Sequence, residues 1–178
     1  LHQGIKSIDD DTFFTWEEEG WTPRMTGVNK NIYDLWGVND NSMVAVGTDG
    51  LIIRSIGNSW ANQDSGTHAH LNGVHALDDQ SAIAVGEDGT ALHYDGLVWT
   101  QQNVPTSYDL MSVWMASPDD AFAVGWYNIQ RWNGTTWSPM VGSQTSKNFQ
   151  GVFGFGPDDV YAVGNYGAIV HYNGTEWV

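Results

Sequence analysis

Apolar residues along this chain fall into short runs separated by glycine, aspartate and asparagine, and the runs recur. The clearest is a segment ending in glycine: "MVAVG" (43–47), "AIAVG" (82–86), "AFAVG" (121–125) and "VYAVG" (160–164). Its apolar character is nearly continuous, which predicts a strand buried on both faces. A preceding run reads "YDLWGV", "LNGVHAL", "LMSVWMA" or "FQGVFGF", joined to it by a polar turn "NDNS", "DDQS", "SPDD" or "GPDD". A third run, such as "ALHY" or "AIVHY", follows after a turn like "TDG" or "EDG". A turn of the form Y-[DN]-G-x-x-W then opens a fourth segment, which decays into Ser, Thr, Gln and Asn. Asp-Gly and Asn-Gly tolerate positive φ and so suit hairpin turns.

The spacing of these runs is regular. Gly47, Gly86, Gly125 and Gly164 stand 39 residues apart, as do Trp36, His75, Trp114 and Phe153. Trp60, Trp99, Trp137 and Trp177 follow at intervals of 39, 38 and 40, because the third copy loses one residue in its "GWYNIQRW" turn. Trp21 lies 39 before Trp60, and "TFFTWEEEGW" aligns with "TALHYDGLVW", so the N-terminus reads as a degenerate fifth copy. The repeats are 1–31 (partial), 32–70, 71–109, 110–148 and 149–178 (partial). Four antiparallel strands in about 40 residues is the unit of a β-propeller blade. One such sheet has two apolar faces and can bury neither alone; stacking around an axis covers both. The predicted class is therefore all-β, a propeller of four-stranded antiparallel blades in a single domain spanning 1–178. A β-solenoid is the alternative, but its coils are usually shorter and lack this hairpin punctuation.

The two ends do not complement each other to finish one blade, since both contain second and third strands. Three arrangements remain open: an excerpt of a longer array, a five-bladed ring with an open seam, or a ring completed by self-association through open strand edges. The chain starts at Leu1 rather than Met, which suggests a processed product or an excerpt.

Charge narrows the partners. Six Lys and Arg stand against 21 Asp and Glu, a formal net charge of −15. Such a surface repels phosphate backbones and anionic membranes, so no nucleic acid and no membrane insertion are expected. No apolar run approaches the roughly 18 residues that cross a bilayer. The absence of cysteine excludes disulfides and thiolate metal sites.

The composite pattern "VWxxSPDDxxAVGxxGxIxHYNGxxW", best seen at 113–137 and 152–177, resembles the repeats of bacterial extracellular β-propellers related to the Asp-box (BNR) group. The resemblance implies a propeller fold, a secreted or cell-surface location in a bacterium, and a function ranging from sialidases and other glycosidases to pure binding proteins. The turns "YDGLVW", "WNGTTW" and "YNGTEW" stand where an Asp-box would stand. They depart from its full form: the leading Ser survives only in "SIGNSW" (55–60), which lacks the Asp. In families with full boxes that motif is structural.

Candidate chemistry is sparse. Asp40, Asp78, Asp79, Asp119, Asp120, Asp158 and Asp159 lie in turns, where Asp caps nearby backbone N–H groups. Together with the run Asp9, Asp10 and Asp11 they are the candidate ligands of a Ca²⁺ ion; no other cofactor is expected. Thr15, Arg54, His93, Arg131 and His171 each precede a repeat Trp by about six residues, and read as solvated strand ends or a ring that meets an anion. His68 and His70 form an H-x-H pair in a polar loop. Trp36, Trp114 and Phe153 belong to the core pattern and double as candidate rings for stacking a sugar. Trp126 and Tyr127 replace the polar "TDG" or "EDG" of sister copies, so they break the structural rule where a binding site would. Arg24, Arg54 and Arg131 are too few and too scattered for a sialidase-type triad, and no hydrolase or phosphate-binding motif is present. The sequons at Asn133 and Asn173 coincide with the turn motif, so hairpin geometry already explains them. These readings point to a non-catalytic binding or scaffold propeller with a protein or carbohydrate partner. The alternatives are the non-catalytic part of a larger glycoside hydrolase and a subunit that completes its ring by oligomerising.

Overall fold

The computed structural model describes residues 6–7, 12–17, 20–39, 42–56, 59–140, 142 and 147–178. The described residues form five antiparallel sheets in sequence order. The N-terminal sheet holds β1 (Lys6–Ser7), β2 (Thr12–Glu17) and β3 (Gly20–Met25). Blade I holds β4 (Ile32–Asn39), β5 (Ser42–Gly47), β6 (Ile52–Ile56) and β7 (Ser59–Gln63). Blade II holds β8 (Leu71–Ala76), β9 (Ala82–Gly86), β10 (Ala91–Tyr94) and β11 (Trp99–Gln102). Blade III holds β12 (Leu110–Ser117), β13 (Asp120–Gly125), β14 (Asn128–Trp132) and β15 (Trp137–Pro139). Blade IV holds β16 (Phe149–Gly156), β17 (Asp159–Gly164) and β18 (Ile169–Tyr172), with a Tyr172–Trp177 bridge where a fourth strand begins.

Within each blade the strands pair in chain order, so the valine-rich strand sits inside the sheet as predicted. Strands β4, β8, β12 and β16 pack successively against one another and so form the inner edge of the arc. Each valine-rich strand alternates its faces. Ala82 and Ala84 of β9 face blade I, while Ile83 and Val85 face blade III. In β13, Ala121 and Ala123 face backward, and Phe122 and Val124 face forward. Small residues on one face thus receive large ones from the neighbour, which lets sheets pack at interior density.

The terminal glycine of that strand is a close-approach position. A Cβ on Gly47, Gly86, Gly125 or Gly164 would land on the carbonyl oxygen of Asn31, His70, Asp109 or Asn148, the residue before the innermost strand. The backbone there is extended, with φ −164° at Gly86 and −166° at Gly164, so space rather than dihedral freedom demands glycine.

The hairpin between third and fourth strands is closed by its Asx residue. The Asp95 Oδ1 accepts the N–H groups of Leu97 and Val98, both at 2.9 Å, and Asn133 and Asn173 repeat the pattern. The glycines after them have φ between +85° and +94°. In blades I to IV the repeat Trp just beyond the turn packs backward. Trp99 joins the blade I–II core and donates its Nε1–H to Gln63 at 2.7 Å; Trp137 and Trp177 join the two following cores. Trp60 packs with Ala45, Leu51 and Ile53 on the rear of blade I. The backbone of Trp21 pairs with that of Trp16 in the β2–β3 hairpin.

Candidate binding rim

In blades I to IV the turn between second and third strands lies beside the loop that leads into the innermost strand: the N–H groups of Thr48, Glu87, Trp126 and Asn165 donate to the carbonyls of Asn31, His70, Asp109 and Asn148. The tip residue of each turn adopts a left-handed conformation: Asp49 (φ 53°), Asp88 (φ 54°), Tyr127 (φ 57°) and Tyr166 (φ 56°). Asp tolerates this region because its short side chain bonds locally; a bulky residue there is an outlier. Blades I and II therefore carry carboxylates at the tip, and blades III and IV carry phenols.

The acidic side is organised by Asp49. Its Oδ2 takes the Lys30 Nζ at 2.8 Å and its Oδ1 meets the His68 Nδ1 at 2.9 Å. Lys30 first, then His68, holds the Asp49 carboxyl below the usual range. The Asp49 N–H donates to the His70 Nδ1 at 3.0 Å, and His70 stands edge-on to Tyr33 at 6.1 Å. Lys30, Asp49 and His68 line a shallow polar depression of about 230 Å³ with Asn62, Gln63 and Asp64. In blade II, Asp109 accepts the Asp88 N–H at 3.1 Å and Glu87 accepts the His70 N–H at 3.2 Å.

The aromatic side is built on Trp126, Tyr127 and Tyr166. Trp126 is 45% exposed and Tyr127 56%. Tyr127 stands edge-to-face with Tyr108 of the adjacent loop, centroids 5.8 Å apart. Tyr166 is fully exposed. The rim thus gathers Tyr33, Tyr108, Trp126, Tyr127 and Tyr166, all exposed, beside the carboxylates of Asp49, Asp64, Glu87, Asp88 and Asp109.

The other candidates lie elsewhere. Trp114 is buried between blades, and Trp36 is half-buried with its centroid 4.0 Å from that of His75. Asp9, Asp10, Asp11, Thr15 and Asp40 lie outside the residues whose side chains are described. Among the described residues, no three His, Asp or Glu side chains converge as a metal would require. Three of the turn carboxylates meet bases: Asp120 grips Arg131 at 2.9 and 3.0 Å, Asp159 meets His171 at 2.8 Å, and Asp79 lies 3.5 Å from Arg54.

That last series corrects the reading of Arg54, His93 and Arg131 as solvated strand ends. Arg54 lies over the Tyr94 ring at 4.5 Å, His93 stacks on Trp132 at 6.2 Å, and the Arg131 Nη1 donates to the Tyr172 hydroxyl at 3.1 Å. In each case the partner belongs to the next blade. Tyr33, Tyr108 and Tyr166 were missed as rim residues. Tyr166 carried a legible signal, since "NYG" puts a tyrosine where sister copies have "TDG" and "EDG".

Comparison with solved structures places this geometry. YCF48 from Cyanidioschyzon merolae superposes with a TM-score of 0.68 at 12% identity, over 95% of this chain and 66% of that one. YCF48 bound to D1 peptide gives 0.69 at 19%, over 99% and 64%. An ancestral GH74 enzyme gives 0.69 at 13%, over 99% of this chain and 30% of that one. The fold is a β-propeller. The chain spans under two thirds of each of these chains' own length. No protein-family model matches it, and neither does any curated protein sequence.

Proposed function

We propose that this chain is a non-catalytic binding propeller that holds an extended protein segment across its rim. The observation that carries the reading is the pair of exposed tyrosines, Tyr127 and Tyr166, at left-handed positions. A non-glycine residue there costs roughly 1–2 kcal/mol, and strain of this kind collects at functional sites. Tyrosine and tryptophan supply large, stiff contact area and dominate binding hot spots. The acidic side of the same rim, around Asp49, Asp88 and Asp109, favours a segment with basic as well as apolar residues.

Two further facts support a binding role. The turn carboxylates Asp79, Asp120 and Asp159 are engaged by Arg54, Arg131 and His171, so they are committed to the scaffold. A propeller of similar fold, YCF48, has been solved with a D1 peptide bound. The kinship with Asp-box propellers, and with it a secreted or cell-surface location in a bacterium, rests on the repeat pattern and is part of the proposal.

The test is selection of displayed random peptides on the intact chain, repeated with a Trp126→Ala, Tyr127→Asn, Tyr166→Asn variant. Enrichment of basic-aromatic peptides, with binding lost at least about tenfold in a variant that melts no lower, supports the reading. Binding indifferent to the three changes, or hits on a glycan array with none among peptides, overturns it.

A further inference from the structure

Blade IV presents a forward face that matches those of its three predecessors in register but is uncovered. Tyr161 and Val163 of β17 are 36% and 46% exposed, and Ile169 of β18 is 68% exposed. The residues one repeat earlier, Phe122, Val124 and Ile129, are 0% exposed; two and three repeats earlier, Ile83, Val85 and Ala91 and then Val44, Val46 and Ile52 are at most 2% exposed. The register is the same in each. Tyr161 pairs with His171 and Val163 with Ile169, as Phe122 pairs with Arg131 and Val124 with Ile129.

The inner strand shows the same interruption. Rings pass from blade to blade along the inner edge: Trp36 to His75 at 4.0 Å, His75 to Trp114 at 6.4 Å, and Trp114 to Phe153 at 6.4 Å. Phe153 is 45% exposed, and its in-blade neighbour Phe155 is 77% exposed. His171 holds the position of Arg54, His93 and Arg131, each of which meets an aromatic ring of the next blade. It stacks instead on Tyr161 of its own blade, at 4.3 Å.

The geometry points to one occupant: a further blade of this same repeat, continuing the ring on the face of Tyr161, Val163, Ile169 and His171. Three copies of that interface exist among the described residues, and they specify the occupant's chemistry. Its inner strand places an aromatic ring against Phe153. Its second strand turns alanines toward Tyr161 and Val163, as Ala121 and Ala123 turn toward Ile83 and Val85. Its hairpin brings an aromatic onto His171, as Trp132 comes onto His93. A second copy of the same face fits less well, because large side chains would then oppose large ones with no alanine row between them. Contiguous exposed apolar surface on a chain of net charge −15 marks an interaction site rather than ordinary surface.

The experiment appends a copy of residues 101–148 after Val178. This completes the fourth strand of blade IV and adds a blade whose rear face already seats on a histidine-bearing forward face. The expected result is a melting temperature raised by about 5 °C or more, with the added blade protected from protease. Tyr161→Lys with Ile169→Lys, both at exposed sites, leaves the melting temperature of the 178-residue chain within about 2 °C. In the extended chain the same pair releases the added blade to protease. An added blade that stays protease-sensitive over an unaltered blade IV overturns the inference. So does a dimer of the 178-residue chain, seen by light scattering, that Ile169→Lys dissociates.

Discussion

The guanidinium of Arg54 lies 4.5 Å above the ring of Tyr94, across the boundary between blades I and II. The Arg54 side chain is only 13% exposed, and Asp79, also of blade II, takes its charge at 3.5 Å. A cation desolvated over an aromatic face contributes about 1–2 kcal/mol. Arg54→Met keeps the aliphatic stem and removes the charge, so it is expected to destabilise by about that amount. In a double-mutant cycle with Tyr94→Leu, urea denaturation should return a coupling near 1 kcal/mol. Zero coupling would reduce the contact to stem packing.

His75 makes the same pair of blades sensitive to acid. Its ring is buried between Trp36 and Trp114, and its Nδ1 meets no hydrogen-bond partner among the described residues. Burial pushes its pKa down from 6.5 to about 4. The unfolded chain therefore binds this proton more readily than the folded one, and stability present above pH 6.5 is lost as pH falls toward 4. Between pH 7 and pH 5 the loss is expected to be about 2 kcal/mol. Asp34, also at this boundary, works in the opposite sense. Burial raises its carboxyl, although the N–H groups of Val74 and Leu35 partly offset that. His75→Phe, which installs the residue found at Phe153, should flatten the denaturation midpoint over this range. An unchanged slope would place the acid sensitivity elsewhere.

The repeat glycines give a harder prediction. Gly125→Ala places a methyl group on the Asp109 carbonyl oxygen, and both belong to backbone that is hydrogen-bonded in place. Relief requires the innermost strand of blade III to move away from its neighbour. Destabilisation of roughly 3 kcal/mol is expected, read from the urea midpoint. Gly66→Ala serves as a contrast. A methyl there meets nothing within 4 Å, and its cost comes only from its φ of +68°.

Those glycines also show how far the fold was legible. Their spacing revealed the period because a close backbone approach tolerates one residue type, and the Asx-Gly hairpins left an equally narrow signature. The roles of Arg54, His93 and Arg131 were not legible, since their partners Tyr94, Trp132 and Tyr172 lie a full repeat away. Nothing local distinguishes a cation over a neighbour's ring from one in water. The rim was half legible. Trp126 and Tyr127 broke the turn rule visibly, whereas Tyr33 and Tyr108 reach the rim only through the packing of loops against turns. The exposed face of blade IV has the composition of a core, and only its position in the arc distinguishes it.

Tyr166 separates stability from binding. Its left-handed backbone is one that asparagine adopts at lower cost, and its ring is fully exposed. Tyr166→Asn removes strain while discarding no buried contact. Stability is expected to rise by about 1 kcal/mol, visible as a melting point 2–4 °C higher. Peptide binding to the rim should weaken in the same variant. A protein that becomes both more stable and a poorer binder shows that the tyrosine is kept for its partner. If the variant melts lower, the ring supports the fold, and the strained tyrosines no longer mark the rim as a binding site.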